Sequence, residues 1–280
     1  MSDGHPASSG WFADIDPDSP EAMAAAIRDG SADTVEEWPR LAVESGFAET
    51  ESDYYEILHD ATMAATRAAV HEAETADDKQ LIHSIRAMDD CERVANELAE
   101  RVSEWAGSRR EDAGTGIDYA RTVAAEDDNS DSRLVSLAQR VRDLDDETAT
   151  LRAHVERTAP EVAPNLTALA GPVLAARLIA LAGGLKQLAR KPAGTVQVLG
   201  AEEALFAHLR GHAPSPKHGV IFTHEAIQGT SPEHRGSAAR ALAGKLAIAA
   251  RVDHYSGERK PELDAELDER IERIQERETE

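Results

Sequence analysis

Few side chains in this chain are spaced for catalysis. His208 and His212 stand four apart, the interval at which one helix face could offer two imidazoles to a metal, but Gly211 ends the helix between them and no cysteine or further acidic ligand recurs at metal spacing. They read more plainly as surface or loop histidines. Asp14, Asp16 and Asp18 alternate in a loop, where hydration is the simpler account. Gly183, Gly184 and Lys186 lack the GxxxxGK[ST] spacing that cradles phosphate, and the chain holds no strand-linked GxGxxG, no GxSxG and no HExxH. No nucleophile, base and oxyanion stabiliser come together, so the expectation is a chain that is not an enzyme and carries no metal or cofactor of its own.

The chemistry that remains is electrostatic. The chain carries a formal net charge of −23, yet from Asn165 to Arg259 there are eleven basic and six acidic side chains, a local +5 that leaves −28 for the rest. Local basicity held against such a background points to a bound polyanion. Within this segment the helix from Pro232 to Asp253 places Arg240 and Arg251 on nearly one line, Arg235 and Lys245 on another side, and Gly236 and Gly244 on a third, at about 100° per residue. Arg251 reads at least as well as a structural arginine paired to Asp253 or to carbonyls. Arg235 and Arg240, near the helix start where the field favours anions, read better as phosphate contacts.

Composition bounds the class. Aromatics make up 4% of 280 residues, so the core must be built from Ala, Leu, Val and Ile, which favours closely packed helices. The acidic excess is the surface expected of a protein at very high salt. A single cysteine, Cys91, forms no internal disulfide and suggests a reducing cytosol. The start MSDGHPASSG does not read as a signal peptide. The most apolar window, Leu166 to Leu185, is broken by Pro172, Arg177 and glycines and reads as buried helices, so no membrane is expected.

The elements that must position these residues follow from periodicity. Ser19, Pro20 and Glu21 start a helix that Gly30 stops, and a second runs from Trp38 to Glu44. Trp11, Phe12, Trp38 and Phe47 crowd this stretch, either as a mini-core or as a docking surface for a partner protein. Ser52 is expected to cap a helix from Asp53 toward Glu74. Leu81, Ile85, Met88, Cys91, Ala95, Leu98, Val102 and Trp105 then step by three and four, as do Leu134, Leu137, Val141, Leu144, Thr148, Leu151 and Val155. Joined by a reversal at Gly107, Gly114 and Gly116 and a polar loop at Asp127 to Ser132, they predict an antiparallel coiled-coil hairpin ended by Pro160 and Pro164. Beyond it lie helices near Val173 to Ala182, Leu185 to Ala189, Ala201 to Arg210 and Pro232 to Asp253, with Ser231 as cap of the last. Short apolar runs at Thr195 to Leu199 and Val220 to Thr223 connect them. Leu263, Leu267, Ile271 and Ile274 suggest a terminal helix that docks back or frays.

Four stretches carry a family resemblance: APNLTALAGPVLAARLIALAGGLKQLA (Ala163 to Ala189), TVQVLGAEEALFAHL (Thr195 to Leu209), PKHGVIFTH (Pro216 to His224) and RGSAARALAGKLAIAARVD (Arg235 to Asp253). They resemble the Nop domain of box C/D ribonucleoprotein scaffolds, and the acidity suggests a haloarchaeal member. Asp78 to Trp105 is similar to that family's coiled coil. The resemblance implies a non-enzymatic scaffold. It would homodimerise through the coiled coil, with Leu81, Ile85, Met88, Leu98, Val102, Leu137, Val141, Leu144 and Leu151 as the dimerisation residues. It would hold fibrillarin, which binds S-adenosylmethionine, through the N-terminal module. It would bind kink-turn box C/D guide RNA jointly with a ribosomal-protein-like kink-turn binder, and so direct 2′-O-methylation. Matched position by position, Gly200, Ala201, Glu202, Glu203, Ala204, Leu205 and Phe206 fall on the element that meets RNA and kink-turn binder. His224 falls where a ring can stack on a base, and Gln197, Lys217, Arg235 and Arg240 on polar or basic positions facing RNA. Glu203 stands where the family usually has lysine, Ala207 where arginine is frequent and Ser237 where lysine is usual, which shifts binding away from counterion release.

The expected organisation is therefore mainly α: a reduced N-terminal module over 1–50 for fibrillarin docking, a helical coiled-coil dimerisation region over 51–160, a globular all-helical Nop domain over 161–257, and a charged helix or tail over 258–280. The runner-up is a kink-turn RNA adaptor without fibrillarin recruitment, because the N-terminal module is so short. An enzyme acting on RNA in its own right is the third reading.

Overall fold

The computed structural model describes residues 10–17, 19–30, 36–126 and 131–276. Asp18, the stretch 127–130 of the expected polar loop and all of the start MSDGHPASSG except Gly10 lie outside them. Two compact units divide at Ala76 and Asp77, and each forms its own core. Among the described residues every regular element is helical.

The first unit holds α1 (Pro20–Asp29), α2 (Trp38–Glu44) and α3 (Glu51–Thr75). Proline in the first turn of α1, a position whose N–H needs no partner, and the Gly30 amide closing on the Ala26 carbonyl at 2.9 Å set its ends. The cap of α3 is Thr50, not Ser52: its hydroxyl accepts the Asp53 amide at 3.1 Å, while the Asp53 carboxylate accepts the Glu49 amide at 2.8 Å. The mini-core reading is realised. Phe12 and Phe47 stack with centroids 5.3 Å apart, Trp11 meets Phe47 edge-on, and the Trp11 indole donates to the Tyr54 hydroxyl at 3.1 Å. Each such ring pair contributes about 1 kcal/mol beyond area burial. Tyr54 and Ala61 of α3 complete this core, so the unit reaches past residue 50, where the sequence placed its end.

The second unit opens with the hairpin of α4 (Asp77–Gly107) and α6 (Ser132–Val162). Between them the sequence offered only a glycine-marked turn. The structure inserts α5 (Gly116–Ala124), whose Ala120, Val123 and Ala124 fill the far end against Ala99, Val102, Ala106, Leu134 and Val141. Pro160 does not end α6, which continues to Val162; Pro160 is exposed, so the carbonyl it leaves without an amide partner can be hydrated. Leu81, Ile85, Met88, Val102 and Val141, expected as dimerisation residues, are at most 1% exposed inside this chain, and Leu98, Leu137 and Leu151 pack beside them. They hold the hairpin and its root together rather than facing a second copy; Leu144 is half-buried.

The hairpin's root merges with a helical bundle: α7 (Pro164–Ala170), α8 (Pro172–Ala182), α9 (Leu185–Ala189), α10 (Ala193–Val198), α11 (Glu202–Leu209), a 3-10 turn at Val220–Thr223, α12 (Glu225–Gln228), α13 (Arg235–Tyr255) and α14 (Glu262–Glu276). No core boundary falls near residue 160, because Leu81, Ile85, Met88 and Val155 share one cluster with Leu178, Leu188 and Leu246. Backbone dipoles fix the join. Lys79 Nζ donates to the Gly183 carbonyl at 3.0 Å and Arg86 to Ala180 at 3.3 Å, placing cations at the C-terminal end of α8, while the Asp78 carboxylate accepts the Leu185 amide at 2.9 Å at the start of α9. The Arg177 guanidinium, 2.6 Å from the Asp89 carboxylate, adds a half-buried pair.

Helix α13 is the axis of the bundle. Its buried face is mostly alanine, Ala238, Ala239, Ala243, Ala247, Ala249 and Ala250, which lets α7, α9 and α10 approach closely. The helix begins at Arg235, not Pro232; Ser231 instead accepts the His234 and Arg235 amides in a preceding turn. Helix α14 docks on it through Leu263, Leu267, Ile271 and Ile274, so 258–280 is no free tail over its described part. The run at Thr195 to Leu199 lies largely within α10. Among the described residues no single helix is long and apolar enough to cross a membrane; the apolar pair α7 and α8 is bent by 118°, and most of its residues are buried in the core.

One buried cluster ties three segments. Asp253, 8% exposed, accepts the Asn165 amide at 2.9 Å, the Leu166 amide at 2.8 Å and the Asn165 side chain at 2.6 Å. Asn165 in turn donates to the Glu258 carbonyl at 2.8 Å and accepts the Lys260 amide at 2.6 Å. Asp253→Ala leaves three buried donors unmatched and is expected to lower stability by roughly 3 kcal/mol in urea denaturation followed by circular dichroism; a loss below about 1 kcal/mol would remove the cluster from its structural role.

Candidate nucleic-acid interface

The loop chemistry around α11 begins with a backbone clasp. The Gly219 amide donates to the Gln197 carbonyl at 2.8 Å and the Val220 amide to the Leu199 carbonyl at 2.7 Å, pinning the 216–220 loop to the end of α10. Only glycine allows this approach, since a Cβ at 219 would stand 1.9 Å from the Leu199 oxygen. The Gln197 amide group donates to the Lys217 carbonyl at 2.7 Å, so its side chain positions the loop and leaves Lys217 exposed.

Gly200, at φ +80°, turns the chain into α11 and its amide meets the Glu202 carboxylate at 2.9 Å. Helix α11 buries no residue. Glu202, Glu203 and Ala204 are exposed, Ala201 and Leu205 half-buried, and Phe206 and Leu209 stand 60% and 71% exposed. His208 is held in place locally, its ring nitrogen meeting the Ala213 carbonyl at 3.0 Å, and among the described residues no three His, Cys, Asp or Glu side chains gather as for a metal.

The ring that faces this loop is one the sequence reading passed over. His218 stacks on Phe222 with centroids 4.4 Å apart and planes at 18°, and the Arg235 guanidinium lies 5.5 Å from the Phe222 centroid. Arg235 also donates to the Thr230 carbonyl at 3.1 Å, so the stack is held in register. The signal was present in PKHGVIFTH, where His218 and Phe222 sit four apart. His224, expected as the stacking ring, is anchored instead: one ring nitrogen accepts the Ala226 amide at 3.1 Å, capping α12, and the other donates to the Leu169 carbonyl at 2.8 Å. Arg240 is exposed on α13 and faces α14. Gln197, Lys217 and Arg235 are thus brought to one side with His218 and Phe222, while His224 points into α7 and Arg240 lies further along α13. Arg251 is structural, donating to the Ala189 and Lys191 carbonyls at 3.1 and 3.3 Å rather than to Asp253.

Residues 80–276 match the Nop family, described as "snoRNA binding domain, fibrillarin". The chain belongs to the Nop family. An uncharacterised NOP5 family protein of Methanocaldococcus jannaschii is 50% identical over 141 residues, 50% of this chain and 34% of that protein. Nucleolar protein 58 of Schizosaccharomyces pombe is 34% identical over 64% of this chain and 43% of its own length, and nucleolar protein 56 of Saccharomyces cerevisiae 31% over 70% and 47%. This Nop chain therefore spans less than half the length of these relatives. A chain from the crystal structure of a fibrillarin/Nop5p complex shares the fold over 91% of both chains, at a TM-score of 0.56 and 24% identity.

Burial, with Arg235 and Lys217 nearby, holds the His218 pKa below its usual value. Its neutral form is favoured in the fold, so its contribution to stability is present above the usual value of about 6.5 and is lost as pH falls toward the depressed one. An NMR titration should place its midpoint below about 6.5, and His218→Phe should flatten the loss of stability as pH falls below about 6.5; a midpoint above that value contradicts the buried, cation-flanked setting of the ring. Gly219→Ala should force the loop from α10 and cost roughly 3 kcal/mol by thermal unfolding.

Proposed function

We propose that this chain is a non-catalytic scaffold of a box C/D guide ribonucleoprotein. It binds kink-turn guide RNA together with a kink-turn-binding protein and recruits fibrillarin, which carries S-adenosylmethionine, for 2′-O-methylation of RNA. The observation that carries the reading is α11: a helix that buries nothing, with Phe206 and Leu209 bare, standing beside the loop that presents Lys217 and the His218–Phe222–Arg235 stack. An apolar face next to a basic, ring-bearing loop suits a composite surface made of a protein and an RNA. Membership of a family described by snoRNA binding and fibrillarin supports the same assignment.

Fibrillarin docking falls to the N-terminal unit, whose aromatic core leaves a largely apolar cavity of about 440 Å³ beside Trp11, Ile27, Trp38 and Leu58. A second copy would pair through the hairpin's outer face, since its inner seam is filled. The scaffold works in the cytosol, in keeping with one half-buried cysteine, and the acidic surface suits a salt-rich archaeal cell.

Reconstitution with fibrillarin, a kink-turn binder and a guide RNA, followed by a methylation assay, tests the whole reading. Phe206→Asp combined with Leu209→Asp should weaken assembly of the three-part RNA complex about tenfold or more while leaving the melting curve in place, because neither side chain is buried. Unchanged assembly sinks the role of α11. Fibrillarin retained after deletion of residues 1–76 sinks the docking role of the N-terminal unit, whereas a full chain that assembles on kink-turn RNA without retaining fibrillarin favours the adaptor reading.

A further inference from the structure

We propose that the groove between α13 and α14 binds the phosphodiester backbone of RNA as a site separate from the loop around α11. The groove is a cavity of about 570 Å³ with Arg240 and Lys245 on one wall and Arg270 and Arg273 on the other. Two carboxylates enter it and both are spoken for: Glu266 pairs with Lys245, and Glu269 with Arg273 at 3.5 Å. Among the described residues no carboxylate pairs with Arg240 or Arg270, so two guanidiniums are left over in a chain whose net charge is −23. Uncompensated arginines converging on one cleft of so acidic a protein are where an anion gains most.

The walls are fixed and the floor is open. Leu263, Leu267, Ile271 and Ile274 seat α14 on its apolar face, so Arg270 and Arg273, three apart, are presented by a docked helix rather than a mobile tail. Ala241 and Gly244 line the floor, and a Cβ added at Gly244 would meet nothing within 4 Å, which leaves room for a ribose-phosphate chain. The groove also continues the interface: Lys217 lies against the first turn of α13, where a Cβ at Gly236 would stand 3.8 Å from its side chain, and Arg235 and Arg240 follow along the same helix. That continuity with a ring stack favours RNA over an acidic peptide, which has no use for the rings. Because the contacts are to phosphate, the groove binds any A-form duplex and needs no kink-turn.

The full chain is titrated with a fluorescent RNA duplex that lacks a kink-turn, across a salt series. Arg240→Ala with Arg270→Ala should weaken binding at least tenfold and reduce the slope of log K against log salt by about 1 to 2, at roughly 0.9 per phosphate contact. Gly244→Leu, which fills the floor without changing charge, should weaken binding by a similar factor, with the fold checked by circular dichroism. Unchanged affinity in both variants, no duplex binding by the unmodified chain, or displacement by polyglutamate as readily as by unlabelled duplex would each overturn the proposal. It rests on the RNA-binding part of the function proposed above and fails separately from it. Duplex binding that survives while kink-turn assembly fails would reject the scaffold reading and keep the groove, and the reverse result would reject the groove alone.

Discussion

The buried carboxylate of Asp253 is the point on which the helical bundle depends. A charged group taken out of water costs several kcal/mol unless its lone pairs are satisfied, and here they are met by two backbone amides at the start of α7 and by the Asn165 side chain. Asn165 passes the restraint on to the connection before α14. The beginning of the bundle, the end of its axial helix and the entry to its last helix therefore share one hydrogen-bonded knot. Since α7 follows α6 with a single residue between, the knot also fixes how the hairpin hands over to the bundle.

Helix identity and order were legible in the sequence because apolar steps of three and four survive at Leu81 to Trp105, Leu134 to Val155 and Leu263 to Ile274. What escaped was decided by partners distant in sequence. Helix α5 has a clean apolar spacing at Ala120, Val123 and Ala124, but three nearby glycines masked it. Pro160 reads as a stop only if its lost hydrogen bond is buried, and it is not. The start of α13 moved by three residues because Ser231 serves a turn before the helix. In the string PKHGVIFTH, His218 and His224 are equally plausible as a free ring, and only the Leu169 carbonyl and the α12 amide, distant or conformational partners, engage His224 within the fold while His218 stacks on Phe222.

The same sorting applies to the cations. Counting residues treats Arg177, Arg235, Arg240 and Arg251 alike, whereas the fold uses them differently. Arg177 neutralises Asp89, Arg251 ties down two carbonyls, and Arg235 is half committed to Thr230 and to a ring face. The basic excess between Asn165 and Arg259 is thus larger on paper than at the surface, and part of what is free comes from α14, outside the segment that the charge count singled out. Close packing explains why so many arginines are conscripted: an alanine-lined axis leaves helix ends near one another, and their carbonyls need donors.

The placement of tryptophan has an optical consequence. Trp11 and Trp38 sit in the N-terminal unit and Trp105 near the far end of α4, while residues 161–276 contain none. Intrinsic indole emission therefore reports the aromatic core and the hairpin's tip and is silent on the bundle that carries α11 and the groove. A fluorescence unfolding curve for this protein describes the aromatic core and the hairpin, not the bundle.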